Sequence, residues 1–177
     1  YMIDWTYDTA NDVDSASITL GTEYKRKLSS NWEQAIFINA LIDRTSSNGS
    51  DTDSSYLTLV GGRLSKTKTN SEKFASSGWS VYMQAQAAVD NLLSDQSISQ
   101  FEFKSKYIFP FGKGRLVNRL DLGLTSAGDL EDLPKSLRFF AGGGSSVRGY
   151  DFESIGEENS SGSVIGGKNL LVGSLEY

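Results

Sequence analysis

Apolar and polar residues take turns along most of this chain, with a period of two. In "GWSVYMQAQAAVD", Trp79, Val81, Met83, Ala85, Ala87 and Val89 share one face, and Ser80, Tyr82, Gln84, Gln86, Ala88 and Asp90 the other. "GRLVNRLDLGLT" sets Leu116, Leu120, Leu122 and Leu124 against Arg115, Arg119 and Asp121. "QFEFKSKYIF" sets Phe101, Phe103, Tyr107 and Phe109 against Glu102, Lys104 and Lys106. Near the start, Ile3, Trp5 and Tyr7 oppose Asp4, Thr6 and Asp8. A helix would scatter these residues around its circumference, whereas a strand sends successive side chains to opposite faces. The pattern predicts strands near residues 2–8, 16–28, 32–44, 55–68, 78–90, 98–109, 114–125 and 168–177.

The connections carry a second pattern. "SSN" and "PFGK" are tight and "TNSEKFASS" is moderate, whereas "TANDVDS", "TSSNGSDTDSS" and "NLLSDQS" are polar, and a long stretch, residues 126–167, precedes the last strand. In an up-and-down sheet, short turns then gather at one end and longer loops at the other, as in an outer-membrane barrel. Aromatic residues near strand ends (Trp5, Trp32, Tyr56, Trp79, Tyr107 and Phe109) suit the interfacial girdles of such a barrel. Strands of ten or more residues exceed the usual soluble length of about 5–6. In "YLTLVGGRLS" both faces are apolar; Tyr56, Val60 and Leu64 are assigned outward, because the reverse would turn Arg63 to lipid at a cost of about 2–4 kcal/mol. Arg26 and Arg44 fall on apolar faces, but near strand ends, where a long side chain can snorkel.

Composition narrows the chemistry. The 177 residues contain neither His nor Cys, which removes the common zinc sites, Cys or His nucleophiles, the Ser-His-Asp triad and any disulfide framework. A net charge of −5 argues against a general nucleic-acid binder. No run approaches the roughly 18 apolar residues of a membrane-spanning helix, a criterion to which barrel strands are blind. There is no leader-like start, and the chain opens on Tyr1 and closes within an apparent strand, as a fragment would. Asp51 and Asp53 in "NGSDTDSS", with Asn48 nearby, lack the distal Glu of a calcium loop and read as solvated. Gly142-Gly143-Gly144 lacks the Lys-Ser/Thr and helix of a phosphate loop. No catalytic residue, metal site or cofactor is predicted.

The long loop, residues 126–167, departs from the rest. Leu137, Phe139, Phe140, Val147, Tyr150, Phe152 and Ile155 make it too apolar for a linker, so it is expected to pack against something. Its segment "LRFFAGGGSSVRGYDFESIG", followed by "GGKNLLVGSLEY", resembles the sixth extracellular loop and following strand of the outer-membrane insertase superfamily that includes BamA, TamA and the two-partner secretion transporters. The Val147-Arg148-Gly149-Tyr150 core matches the superfamily signature, and "RFFAGG" with "GSLEY" brings the resemblance nearest to the TamA group.

The resemblance implies an all-β, antiparallel, up-and-down transmembrane β-barrel, of which residues 1–177 supply about eight strands (five to twelve) of a sixteen-stranded parent. It implies that the long loop folds inward and that Arg148 meets polar groups on the inner wall. Gly142 and Gly143 would permit the sharp entry, Gly149 a tight turn, and Tyr150 would wedge the tip. Alternation along "NLLVGSLEY" places Leu171 and Leu175 outward and Ser174 and Glu176 inward, which makes Glu176 a candidate partner of Arg148, with Asp121 second. A carboxylate facing a guanidinium in a partly dry lumen would pin the loop strongly.

Such barrels assemble or translocate outer-membrane clients, autotransporters among them, in the bacterial outer membrane without covalent chemistry. They face lipid and lipopolysaccharide, and the TamA group works with an inner-membrane-anchored partner, TamB, through periplasmic domains absent from these residues. Two other readings stay open on alternation alone. A passive outer-membrane channel shares the pattern but not the Arg148 motif, and a soluble β-sandwich binding module would shield the same apolar face in a closed core.

Overall fold

The structure, a computed structural model, describes residues 2–10, 13–47, 53–71, 73–90, 93–130, 132–144, 146–160 and 162–177, with the side chains of 2–16 and 44–53 outside that description. The Asn48 and Asp51 loop and the side chains of Ile3, Trp5, Tyr7, Arg44 and Asp53 therefore lie outside the described residues.

Period-two alternation becomes one antiparallel sheet. Its strands are β1 (Met2–Ala10), β2 (Val13–Lys27), β3 (Glu33–Ser47), β4 (Asp53–Thr69), β5 (Gly78–Ala88), β6 (Ile98–Phe111), β7 (Gly114–Ser126) and β10 (Asn169–Glu176). Each lies beside its neighbour in the chain, except that β10 follows β7 directly, which leaves β1 and β10 at the two edges of an open sheet. Between β7 and β10 the chain makes a 3-10 turn (Lys135–Leu137) and a small hairpin of β8 (Glu157–Glu158) and β9 (Val164–Gly166). The 17 residues of β4 and the 15 each of β2 and β3 exceed the roughly 9–11 that a tilted strand needs to cross a bilayer. The β2–β3 and β6–β7 turns are tight, with Asn31 and Gly112 at φ of 59° and 60°.

The two faces have different chemistry. Outward stand Ile18, Leu20, Ile36, Ile38, Val60, Leu120, Leu124, Leu171 and Leu175, all exposed. Inward, Arg63 pairs with Glu23 at 3.1 Å and donates to the Gln84 Oε1 at 3.2 Å, which also accepts from the Tyr82 hydroxyl at 2.7 Å. A solvated, hydrogen-bonded inner face opposite a predominantly apolar outer face is what a lipid-facing wall requires.

The doubly apolar β4 has a local explanation. Tyr56 and Val60 point outward and are exposed, as assigned, while Leu57 and Leu59 point inward and are buried. They join Leu41, Ala88, Ile98, Leu130, Leu133 and Leu137 in one apolar cluster. The last three belong to the long loop, so this apolar part of the inner wall is where the loop entry lies on it.

Candidate functional site: the inward loop and its seat

The loop is first held by its entry. Leu130 and Leu133 settle into the apolar cluster, and Leu133 is fully buried. Arg138 donates from Nε to the Leu133 carbonyl at 2.6 Å and from a terminal nitrogen to the Ile165 carbonyl at 3.2 Å, tying the two ends of the loop together. Phe139 and Gly167 exchange backbone hydrogen bonds, both of 2.8 Å. From the wall, buried Gln100 donates to the Leu137 carbonyl at 2.7 Å and to the Thr125 hydroxyl at 2.9 Å, and accepts from Gln86 at 2.7 Å. The Phe139 ring lies on Gly123 of β7, where a Cβ would stand 2.5 Å from the ring.

Beyond this, the loop doubles back. Ala141 bridges Ile155, and the Gly143 N–H donates to the Tyr150 carbonyl at 3.0 Å. At Gly142, φ is +114° and a Cβ would collide with the Asp151 carbonyl oxygen, so only glycine fits. The Ser146 hydroxyl closes the turn, accepting from the Gly142 N–H at 2.8 Å and donating to its carbonyl at 2.9 Å. Gly143 and Gly149 also take positive φ, +86° and +92°. Val147 is half-buried, whereas Tyr150 is 60% exposed.

Arg148 stands 3.1 Å from one carboxylate oxygen of Glu176, and Arg119 stands 2.7 Å from the other. Glu176 is thus shared by two guanidiniums, one from the loop and one from β7. Asp121 lies farther up β7, opposite Lys104, and among the described residues no ion pair joins it to Arg148. Glu176 pairs with Val117, seven residues down β10 from the Asn169–Leu124 pair. At about 3.3 Å per residue, the loop tip descends roughly 23 Å along the wall, towards the short-turn end.

The Arg148 side chain is 66% exposed, so water screens the pair, and such pairs contribute about 0–1 kcal/mol. The contacts of buried Leu133 and Gln100 and of half-buried Phe139 hold the loop more firmly. The sequence marked Phe139 as a loop residue that would pack, but gave Leu133 and Gln100 no role in the seat. The inward parity of Gln100 and Gly123 was available, but nothing local indicated which loop atoms would meet them.

What this geometry defines is an antiparallel up-and-down sheet of the kind that walls a β-barrel, with a loop seated on its inner face. The Omp85 superfamily domain matches residues 3–177, and the chain belongs to that superfamily. Its fold is similar to the crystal structure of BamA from Haemophilus ducreyi lacking POTRA domains 1–3, with a TM-score of 0.81 at 15% sequence identity. The match covers 98% of this chain and 40% of that one, so the present residues span well under half of its length.

Proposed function

We propose that this segment belongs to a bacterial outer-membrane barrel that assembles or translocates other outer-membrane β-barrel proteins, autotransporters among them, without covalent chemistry. The observation that carries this reading is the Val147–Tyr150 loop lying along the inner wall with Arg148 on Glu176, within an Omp85-superfamily barrel. A loop seated by weak polar contacts at its tip and apolar contacts at its root can shift without unfolding the wall, which suits a barrel that must open to its clients. The "RFFAGG" and "GSLEY" segments favour a TamA-like member, whose partners would be a TamB-like inner-membrane-anchored protein, client barrels, and lipid or lipopolysaccharide. No cofactor or nucleic acid enters this reading.

The test is reconstitution of the whole protein that carries this segment into lipid vesicles, followed by addition of an unfolded outer-membrane barrel client. Assembly is read as heat-modifiable gel mobility and protease protection. Faster client folding than in empty vesicles is expected. Folding no faster than in empty vesicles, together with steady ion conductance, would favour a passive channel.

A further inference from the structure

On the sheet's outer face, the described side chains of β2–β7 and β10 include three cations, Arg26, Lys66 and Lys68, and no carboxylate. All three lie at the short-turn end, on β2 and β4. Lys66 and Lys68 are successive on that face of β4, and Arg26 lies across β3 from them. Arg26 shares a row with Gln34 and Leu64, Lys66 is two residues farther along β4, and Lys68 pairs with Trp79.

Lys66 is held between two tryptophans, its Nζ 5.6 Å from the Trp32 ring centre and 5.7 Å from that of Trp79. Arg26 donates from Nε to the Gln34 Oε1 at 2.6 Å, a neutral partner that leaves its charge uncompensated. The carboxylates nearest Arg26 along the chain, Glu23 and Glu33, alternate to the inner face, where they pair with Lys25 and Lys27 at 2.9 and 3.6 Å. Among the described residues no carboxylate shares that face with these cations, and at the membrane interface an anionic lipid headgroup can supply the counter-charge.

We infer that Arg26, Lys66 and Lys68, framed by Trp32 and Trp79, form a binding site for the phosphodiester headgroup of an anionic glycerophospholipid. Short turns mark the periplasmic end of such barrels, so the site faces the leaflet on that side. The tryptophans set the depth of the membrane interface, and the ammonium groups offer the donors a phosphate accepts. This inference rests on the membrane-wall reading but not on client assembly.

The test uses the whole protein that carries the segment, in vesicles of phosphatidylcholine with a trace of spin-labelled phosphatidylglycerol or spin-labelled phosphatidylcholine. The immobilised fraction of each label reports lipid selectivity. Preference for phosphatidylglycerol is expected, falling about fivefold for each lysine removed in Lys66→Gln and Lys68→Gln. Lys66→Arg should retain it, and the inner-face Lys104→Gln should leave it unchanged. Lys68 is exposed, so Lys68→Gln gives a reading even where Lys66→Gln folds poorly. Equal immobilisation of the two lipids in the wild type would overturn the inference. So would an equal loss with Lys104→Gln, which marks bulk charge, or full competition by millimolar inorganic phosphate, which marks a free-anion site. Client assembly is scored separately, so a protein that keeps lipid selectivity without assembling clients refutes the proposed function alone.

Discussion

The ring of Phe139 lies on the bare backbone of Gly123, so close that a Cβ at residue 123 would be 2.5 Å from it. This contact joins the root of the loop to β7 at a point where every other inward residue nearby carries a side chain. Gly123→Val should lift the ring and cost about 1–3 kcal/mol through overpacking. The loss should shrink when Phe139→Ala is added, because the two changes share one space. Urea unfolding of the four members of this cycle checks it, and strict additivity would contradict the contact.

Glu176 serves two guanidiniums, and the consequences of removing each partner differ. Arg148→Ala should destabilise by less than about 1 kcal/mol, since that side chain is largely solvated and Arg119 keeps the carboxylate. Glu176→Ala should cost more, because it strips both cations at once. Urea midpoints of the two variants decide this, and an Arg148→Ala loss equal to or above that of Glu176→Ala would reverse the assignment.

Gln100 is the polar link between wall and loop. Gln100→Leu leaves the Leu137 carbonyl without this donor in a buried setting, a loss of about 1–3 kcal/mol. The effect should be concentrated at the loop, seen as faster amide exchange near Phe139 and earlier protease cleavage at Arg138, with the exchange of β2–β4 unchanged.

Leu133 is fully buried in the apolar cluster that seats the loop entry. Leu133→Ala should cost about 2–5 kcal/mol, and Leu133→Met under about 1.5 kcal/mol. Thermal unfolding in detergent, followed by near-ultraviolet circular dichroism, separates the two.

The absence of cysteine allows a direct test of the faces. Single Cys substitutions at Ala85 and Leu122 should place an attached fluorophore within reach of a lipid-phase quencher, and those at Gln84 and Asp121 should not. Probes at 85 and 122 that no lipid quencher reaches would mean a closed protein core in place of a membrane wall.

Much of this architecture is written in local pattern. Alternation along each strand determines which residues share a face, because successive side chains on a pleated strand must point oppositely. That rule alone put Leu171 and Leu175 outside and Glu176 inside, and it put Tyr56 and Val60 outward on a strand apolar on both sides. The loop motif, through its resemblance, pointed to Arg148 as the residue that would meet the wall. What alternation could not supply was the pairing of loop with wall. Gln100 meets the Leu137 carbonyl, 37 residues away, and Gly123 receives the Phe139 ring only once the entry has folded back over β7. Nor could it tell how far water reaches Arg148, since exposure depends on what stands opposite. Strand faces follow from the geometry of neighbouring residues, whereas the seat of the loop depends on contacts between distant ones, and those exist only in the folded chain.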